Sequence, residues 1–373
     1  MSAVPEVGAR VASVEAVAFG VPTDAPEGDG TFAWDHTTLV LVTVRTDDPV
    51  QPVGTGWTYA PAAAAGLVAE LLAPVLVGRD PGDVDSAWLA MRRALRNAGR
   101  PGLGAMAVSA VDVALWDLSG RLLGVPLSRL WGADRDTVPV YGSGGFTTYD
   151  DDQTVRQLEG WLADGFGSVK IKVGESWGSC VERDLARVEL ARRAVGDGVE
   201  LFVDANGGYQ EGQAVRVGRR LADHGVSWFE EPVTSDDPAA LARVRRSLDC
   251  DVAAGEYCFE PLDAGRLLDA DAVDCLQLDA TRCGGYTGWF RAVALAEARH
   301  LQVSGHCAPY LHAPVAAATA SLRHVEWFHD HQRIEQRLLD SPAPARGGEL
   351  APADGPGHGW TPRPEALAKF RIV

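Results

Sequence analysis

From Val138 onward the chain repeats one pattern eight times: a short apolar run, then a stretch with helical spacing. The runs are VPVYGSGG, VKIKV, ELFVDAN, SWFEEP, DVAAGE, DCLQLD, QVSGH and RHVEWF. They are continuously apolar instead of strictly alternating, which marks strands buried on both faces of a parallel sheet. Parallel neighbours need long crossovers, and the helical stretches supply them. Eight such units over about 190 residues specify an α/β fold, a modified TIM-like (β/α)-barrel.

The part before this repeat reads differently. Val11–Phe19, Thr38–Arg45 and Gly54–Tyr59 are strand-like. Helical patterns follow at Pro61–Leu72, Asp83–Arg96 and Ala105–Leu123. Between the first two strands lies VPTDAPEGDGTFAWDH, whose Pro, Gly and Asp content predicts a long loop over Val21–His36. The expected organisation is an α+β capping domain over residues 1–125 and a catalytic barrel over 126–339. A Pro/Gly-rich segment, 340–373, is expected to return to the first domain.

Composition narrows the function. The net charge of -17 argues against nucleic acid or an anionic membrane as partner. It leaves room for an anionic small molecule in a locally positive site. No basic segment followed by an apolar run opens the chain at Met1–Arg10, so no signal peptide is expected. No transmembrane span is expected either. The six cysteines include no CxxC pair, which suits a reduced, cytoplasmic protein. Cys258 and Cys307, each close to a candidate catalytic residue, are read as small apolar filler. A homo-oligomer is expected.

Polar residues recur at the C-terminal ends of the apolar runs, where barrel enzymes keep their active sites. The chain has three lysines against thirty-one arginines, and two of the three, Lys170 and Lys172, share the segment VKIKVG. They fall on one face of a strand. Lysine can give up its proton and arginine cannot, so this placement points to proton transfer. Asp204, Glu230 and Glu256 end three successive runs at even spacing. Three converging carboxylates need a cation, and hard oxygen ligands suit Mg²⁺, with Mn²⁺ also acceptable. His306 ends the seventh run, and Asp279, ending the sixth, is placed to accept its Nδ1–H. Glu326 lies on the eighth.

Together KIK, DAN, WFEEP, GE, LDATRCGGYTG, SGH and HVEWF resemble the enolase superfamily, in its mandelate racemase-like subgroup. ALWDLSGRLLGVPL (Ala114–Leu127) resembles that family's domain junction. The resemblance implies Mg²⁺ on Asp204, Glu230 and Glu256, with Lys172 and His306 as opposing acid/base groups. It implies that Asp279 orients His306. Lys170 would stay cationic near the substrate carboxylate and depress the pKa of Lys172. Glu326, if protonated, would donate to the developing enediolate. Asn206, Trp34, Asp35 and His329 are the expected substrate contacts, and His331 is a further candidate. One departure from the pattern is the insertion-like stretch Gly174–Glu182, which lengthens the loop over the site.

The expected substrate is a small carboxylate. The acids of the capping segment (Asp24, Glu27, Asp29 and Asp35) suit hydroxyl groups better than a second carboxylate, which favours a sugar monoacid. Dehydration to a 2-keto-3-deoxy acid leads. A racemase, epimerase or cycloisomerase would use the same residues. A barrel retained only for binding would show a broken constellation, and every position here is filled.

Overall fold

The computed structural model describes residues 8–372 except position 49. The opening residues 1–7, part of the stretch considered for a signal peptide, lie outside the described residues.

Three strands, β1 (Val11–Gly28), β2 (Ala33–Thr46) and β3 (Gly54–Tyr59), form an antiparallel meander in that order. The eight apolar runs then form β4 (Val138–Gly144), β5 (Ser168–Lys172), β6 (Glu200–Asp204), β7 (Val226–Glu230), β8 (Asp251–Ala254), β9 (Cys275–Leu278), β10 (Gln302–Gly305) and β11 (Leu322–Phe328). Each pairs in parallel with the next, and β11 pairs back onto β4, closing the barrel. Helices lie between the strands. Tyr141, Phe202, Trp228, Ala253 and Cys275 fill the barrel interior as one buried cluster, so the barrel is a packed core with no pore.

The helix Leu103–Leu123 has the length and apolarity of a membrane span, yet 89% of its apolar window is buried inside the fold. It packs against β3 through two glycines. A Cβ on Gly54 would sit 2.2 Å from Ala114 O, and one on Gly56 would sit 2.3 Å from Ala110 O. Only glycine allows backbones this close. The same helix carries the buried Asp117, whose carboxylate accepts from Thr55 N, Arg121 Nε and His358 N. One side chain thus ties the sheet, the helix and the C-terminal segment together. That segment adds a short strand, β12 (Glu349–Leu350), antiparallel to the start of β4. It ends beside β1, where Ile372 N donates to Ala18 O.

The segment Val21–His36 is not a long loop. β1 and β2 continue through most of it as a paired hairpin, with a register shift between Pro22 and Glu27. The turn is confined to the tip, where Asp29 Oδ1 accepts from Thr31 N, Thr31 Oγ1 and Phe32 N. Pro22 and Pro26 fall at the bulge, where a missing N–H costs no ladder bond. Loop-like composition was therefore a poor guide to backbone conformation here.

Replacing Gly56 with alanine should push the long helix away from the sheet. Overpacking of this kind costs about 1–3 kcal/mol. Chemical denaturation should show a lower midpoint with an unchanged slope.

Candidate active site

The register of the barrel sets the site. Lys172 on β5 is level with Asp204 on β6, which is level with Glu230 on β7. Glu256 follows β8 after Gly255, a residue at φ +135° whose Cβ would meet Gln277 O at 2.6 Å. Asp204, Glu230 and Glu256 thereby bring ligand oxygens within 4.8 Å of one another, all buried.

Cations surround this triad. Lys172 Nζ lies 2.5 Å from Asp204 Oδ2. Lys170 Nζ, fully buried, contacts both oxygens of Glu230 at 2.7 Å, Glu326 Oε1 at 2.8 Å and Tyr141 OH at 3.2 Å. Arg282 bridges Glu256 Oε1 at 3.0 Å and Asp279 Oδ2 at 3.3 Å. His306 Nδ1 lies 2.9 Å from Asp279 Oδ2, and its Nε2 lies 3.2 Å from Glu256 Oε2. Thr281 N donates to Asp279 Oδ1. Lys172 thus touches one end of the triad and His306 the other.

The triad fits a hard divalent cation. Glu256 Oε2 lacks an aligned hydrogen bond despite its nearness to His306, and Glu231 Oε1 and Asn206 Oδ1 are also buried without partners. Burial, with Glu256, Asp204 and Glu230 close by, holds the Glu231 carboxyl well above the usual range. An all-oxygen donor set with unmet acceptors is the chemistry Mg²⁺ accepts.

Two electrostatic expectations need correction. Burial pulls the Lys172 pKa down and Lys170 adds to that pull, but the Asp204 carboxylate outweighs both and leaves it above the ordinary lysine value. Glu326 is surrounded by cations that favour its ionised form over the protonated one expected. Burial would protonate it, but Lys170, His306 and Lys172 hold its pKa well below the usual range. Lys170 sits behind the triad, clamped between Glu230 and Glu326. Burial also works against a charged His306, yet Cys307, Glu256, Glu326 and the bond to Asp279 raise its pKa well above the ordinary value.

The remaining expected contacts are divided. Asn206, at φ +45°, donates its backbone N–H to Asp204 Oδ1 and borders a cleft of ≈ 500 Å³ together with Glu231, Asp29 and Trp177. Trp34 donates to the buried Glu27 and packs edge-on to Phe146. Asp35, on the opposite face of its strand, is 85% exposed and paired with His36, so it does not join the cluster. His329 is half-buried, 3.8 Å from Asp24. His331 is stacked on Tyr59 at 3.4 Å. The stretch Gly174–Glu182 meets the capping hairpin: Trp177 N donates to Gly30 O, and its ring abuts Phe32. Asp24, at the bulge of β1, reaches Arg333 and Arg337 on the helix His329–Leu338.

Sequence reasoning missed Arg282, although its position three residues after Asp279 was a usable signal. It also took Cys307 as filler. Its thiol lies 3.2 Å from His306 Nε2 and 3.3 Å from Glu326 Oε2.

Residues 153–366 match the model of the enolase C-terminal domain-like family. Residues 14–132 match the mandelate racemase / muconate lactonizing enzyme N-terminal domain. The chain belongs to the enolase superfamily, in its mandelate racemase-like group. It is 32% identical to a D-galactarolactone cycloisomerase of Agrobacterium fabrum, covering 94% of this chain and 95% of the relative. A mandelate racemase/muconate lactonizing enzyme-like protein from Rubrobacter xylanophilus superposes with a TM-score of 0.92 at 43% identity, over 97% of this chain and 100% of that one. L-talarate/galactarate dehydratase from Salmonella typhimurium LT2, liganded with Mg and L-lyxarohydroxamate, superposes with a TM-score of 0.88 at 27% identity, over 98% and 93%. The superfamily architecture, a barrel beneath an N-terminal capping sheet, is the one described above.

Lys170→Met should leave Glu230 and Glu326 buried without their shared cation. Breaking a buried pair in this way costs about 3–5 kcal/mol. Uncompensated carboxyls have raised folded-state pKa values, so the folded variant binds protons more readily than the unfolded chain. The stability lost should therefore be recovered as the pH falls from mildly alkaline to mildly acidic. Thermal denaturation of wild type and variant across that range checks both the size and the sign.

Proposed function

We propose that this chain is a Mg²⁺-dependent sugar-acid dehydratase that removes the proton α to the substrate carboxylate and yields a 2-keto-3-deoxy acid. One observation carries the reading: a buried triad of carboxylates contacts Lys172 at one end and His306 at the other. Two groups able to exchange protons thereby flank a metal-binding set.

Asp204, Glu230 and Glu256 would hold the ion, which supplies positive charge to the substrate carboxylate as negative charge develops there. Lys172 Nζ or His306 Nε2, whichever is neutral, takes the α-proton; an ion on Asp204 and Glu256 would compete for the carboxylates that favour the charged form of each. Asp279 holds His306 by Nδ1, so Nε2 is the atom that faces the reaction. His306 then protonates the departing β-hydroxide. Lys170 holds Glu230 and Glu326 in place, and Arg282 does the same for Glu256 and Asp279. The tip of the capping hairpin meets Trp177 through Phe32 at the rim of the cleft, where a bound substrate would pass beneath it. The sugar-acid substrate is supported by the dehydratase and cycloisomerase relatives.

The similarity to a cycloisomerase favours a second reading, in which the same two groups move a proton from one face of the carbon to the other without loss of water. The product separates them. A panel of sugar acids that includes galactarate, incubated with Mg²⁺, should give a keto acid with at least one member. A product isomeric with its substrate would replace the dehydratase reading with the isomerase one.

On the acid that is turned over, EDTA should abolish activity and Mg²⁺ restore it. Lys172→Ala and His306→Asn should each lower kcat by roughly 10²-fold or more, the scale of general acid–base catalysis. Turnover that survives chelation, or a His306→Asn enzyme with the wild-type rate, would remove the metal or the histidine from the mechanism.

A further inference from the structure

On the His306 side of the site, three unlike ligand atoms meet. Cys307 Sγ lies 3.2 Å from His306 Nε2 and 3.3 Å from Glu326 Oε2, and Nε2 lies 3.7 Å from that same oxygen. All three residues are buried. In a tetrahedral Zn²⁺ centre, with metal–ligand bonds of about 2.0–2.3 Å, neighbouring ligand atoms stand about 3.4–3.6 Å apart. The three separations already outline one face of such a tetrahedron.

We propose that His306 Nε2, Cys307 Sγ and Glu326 Oε2 form a second metal site, selective for Zn²⁺ over Mg²⁺, whose occupation turns the enzyme off. The donor set makes the selection. Thiolate and imidazole suit Zn²⁺, whereas Mg²⁺ takes oxygen ligands and favours the neighbouring triad. The ligands are also held from behind. Asp279 takes His306 Nδ1–H, the carboxylate–histidine–metal arrangement that fixes the tautomer and raises ligand basicity. Ser143 Oγ and Lys170 Nζ fix Glu326 by its other oxygen. Cys307 is in the left-handed region, at φ +53°, and its N–H donates to Glu326 Oε2, so the turn places the sulfur against both partners.

Zn²⁺ would bind the thiolate of Cys307, whose proton leaves to solvent, and the Nε2 lone pair of His306. The Nε2 lone pair is then occupied by metal, and His306 cannot accept a proton. Metal binding here stands on ligand geometry alone, while the inhibition rests on the role assigned to His306 above.

Co²⁺ titrated into the Mg²⁺-saturated enzyme tests the site without any substrate. Cobalt bound to a thiolate gives a near-ultraviolet charge-transfer band, and cobalt in the all-oxygen triad gives none. One equivalent should saturate the band in wild type, Zn²⁺ should displace it, and Cys307→Ser should lack it. Asp279→Asn should weaken binding roughly 10–100-fold, as loss of a supporting carboxylate does. On a turned-over acid, Zn²⁺ should inhibit wild type and spare Cys307→Ser. No band in wild type, or an equal band in Cys307→Ser, would overturn the proposal. If the serine variant fails to fold, the same titration on Cys307→Ala decides.

Discussion

The arrangement depends on three buried carboxylates held closer together than their charges allow. At an effective dielectric constant of about 20, two like charges about 4 Å apart repel by about 4 kcal/mol. Asp204, Glu230 and Glu256 present three such pairs within 4.8 Å. Lys170, Lys172, Arg282 and His306 offset them, each within 3.2 Å of at least one of these carboxylates. The cations that surround these acids also let the barrel fold around them. Lys172 has its pKa raised above the ordinary lysine value by its pairing with Asp204. Its partner Asp204 is the carboxylate that a divalent ion would claim.

Much of this was legible in the sequence. The eight apolar runs are the eight barrel strands, because a strand buried on both faces writes itself as an uninterrupted apolar segment. Strand-end position was equally informative, since a βα-barrel places all such ends on one rim. That is how Lys172, Asp204, Glu230, Glu256, Asp279 and His306 could be grouped before any geometry was known. What the sequence hid was tertiary. Nothing local says that Asp204 outweighs Lys170 at the amine of Lys172, or that Lys170 lowers the pKa of Glu326. Those outcomes depend on distances across the barrel. The hairpin was misread for another reason: Pro22 and Pro26 mimic a loop, while the pairing that makes strands of their neighbours lies in β2.

The capping part meets the barrel along a continuous packed core with specific polar contacts: Trp57 Nε1 donates to Glu335 Oε1, Thr58 Oγ1 to Thr281 O and Trp88 Nε1 to Gly284 O. Asp117 joins the sheet to the C-terminal segment, and Asp24 and Thr37 reach the helix that follows β11. Trp177, on the lengthened stretch after β5, and Thr147 and Thr148, after β4, contact the hairpin around its tip. None of the triad lies on the capping side. The hairpin and the carboxylate triad thus lie on separate parts of the chain and can vary independently on one fold.

Anomalous diffraction from crystals loaded with Mn²⁺ in place of Mg²⁺ tests the central claim most directly. The account predicts one strong peak bounded by carboxylate oxygens of Asp204, Glu230 and Glu256, with Lys172 and His306 on opposite sides of it. A peak elsewhere, or three carboxylates that turn away from one another when the ion is supplied, would contradict it.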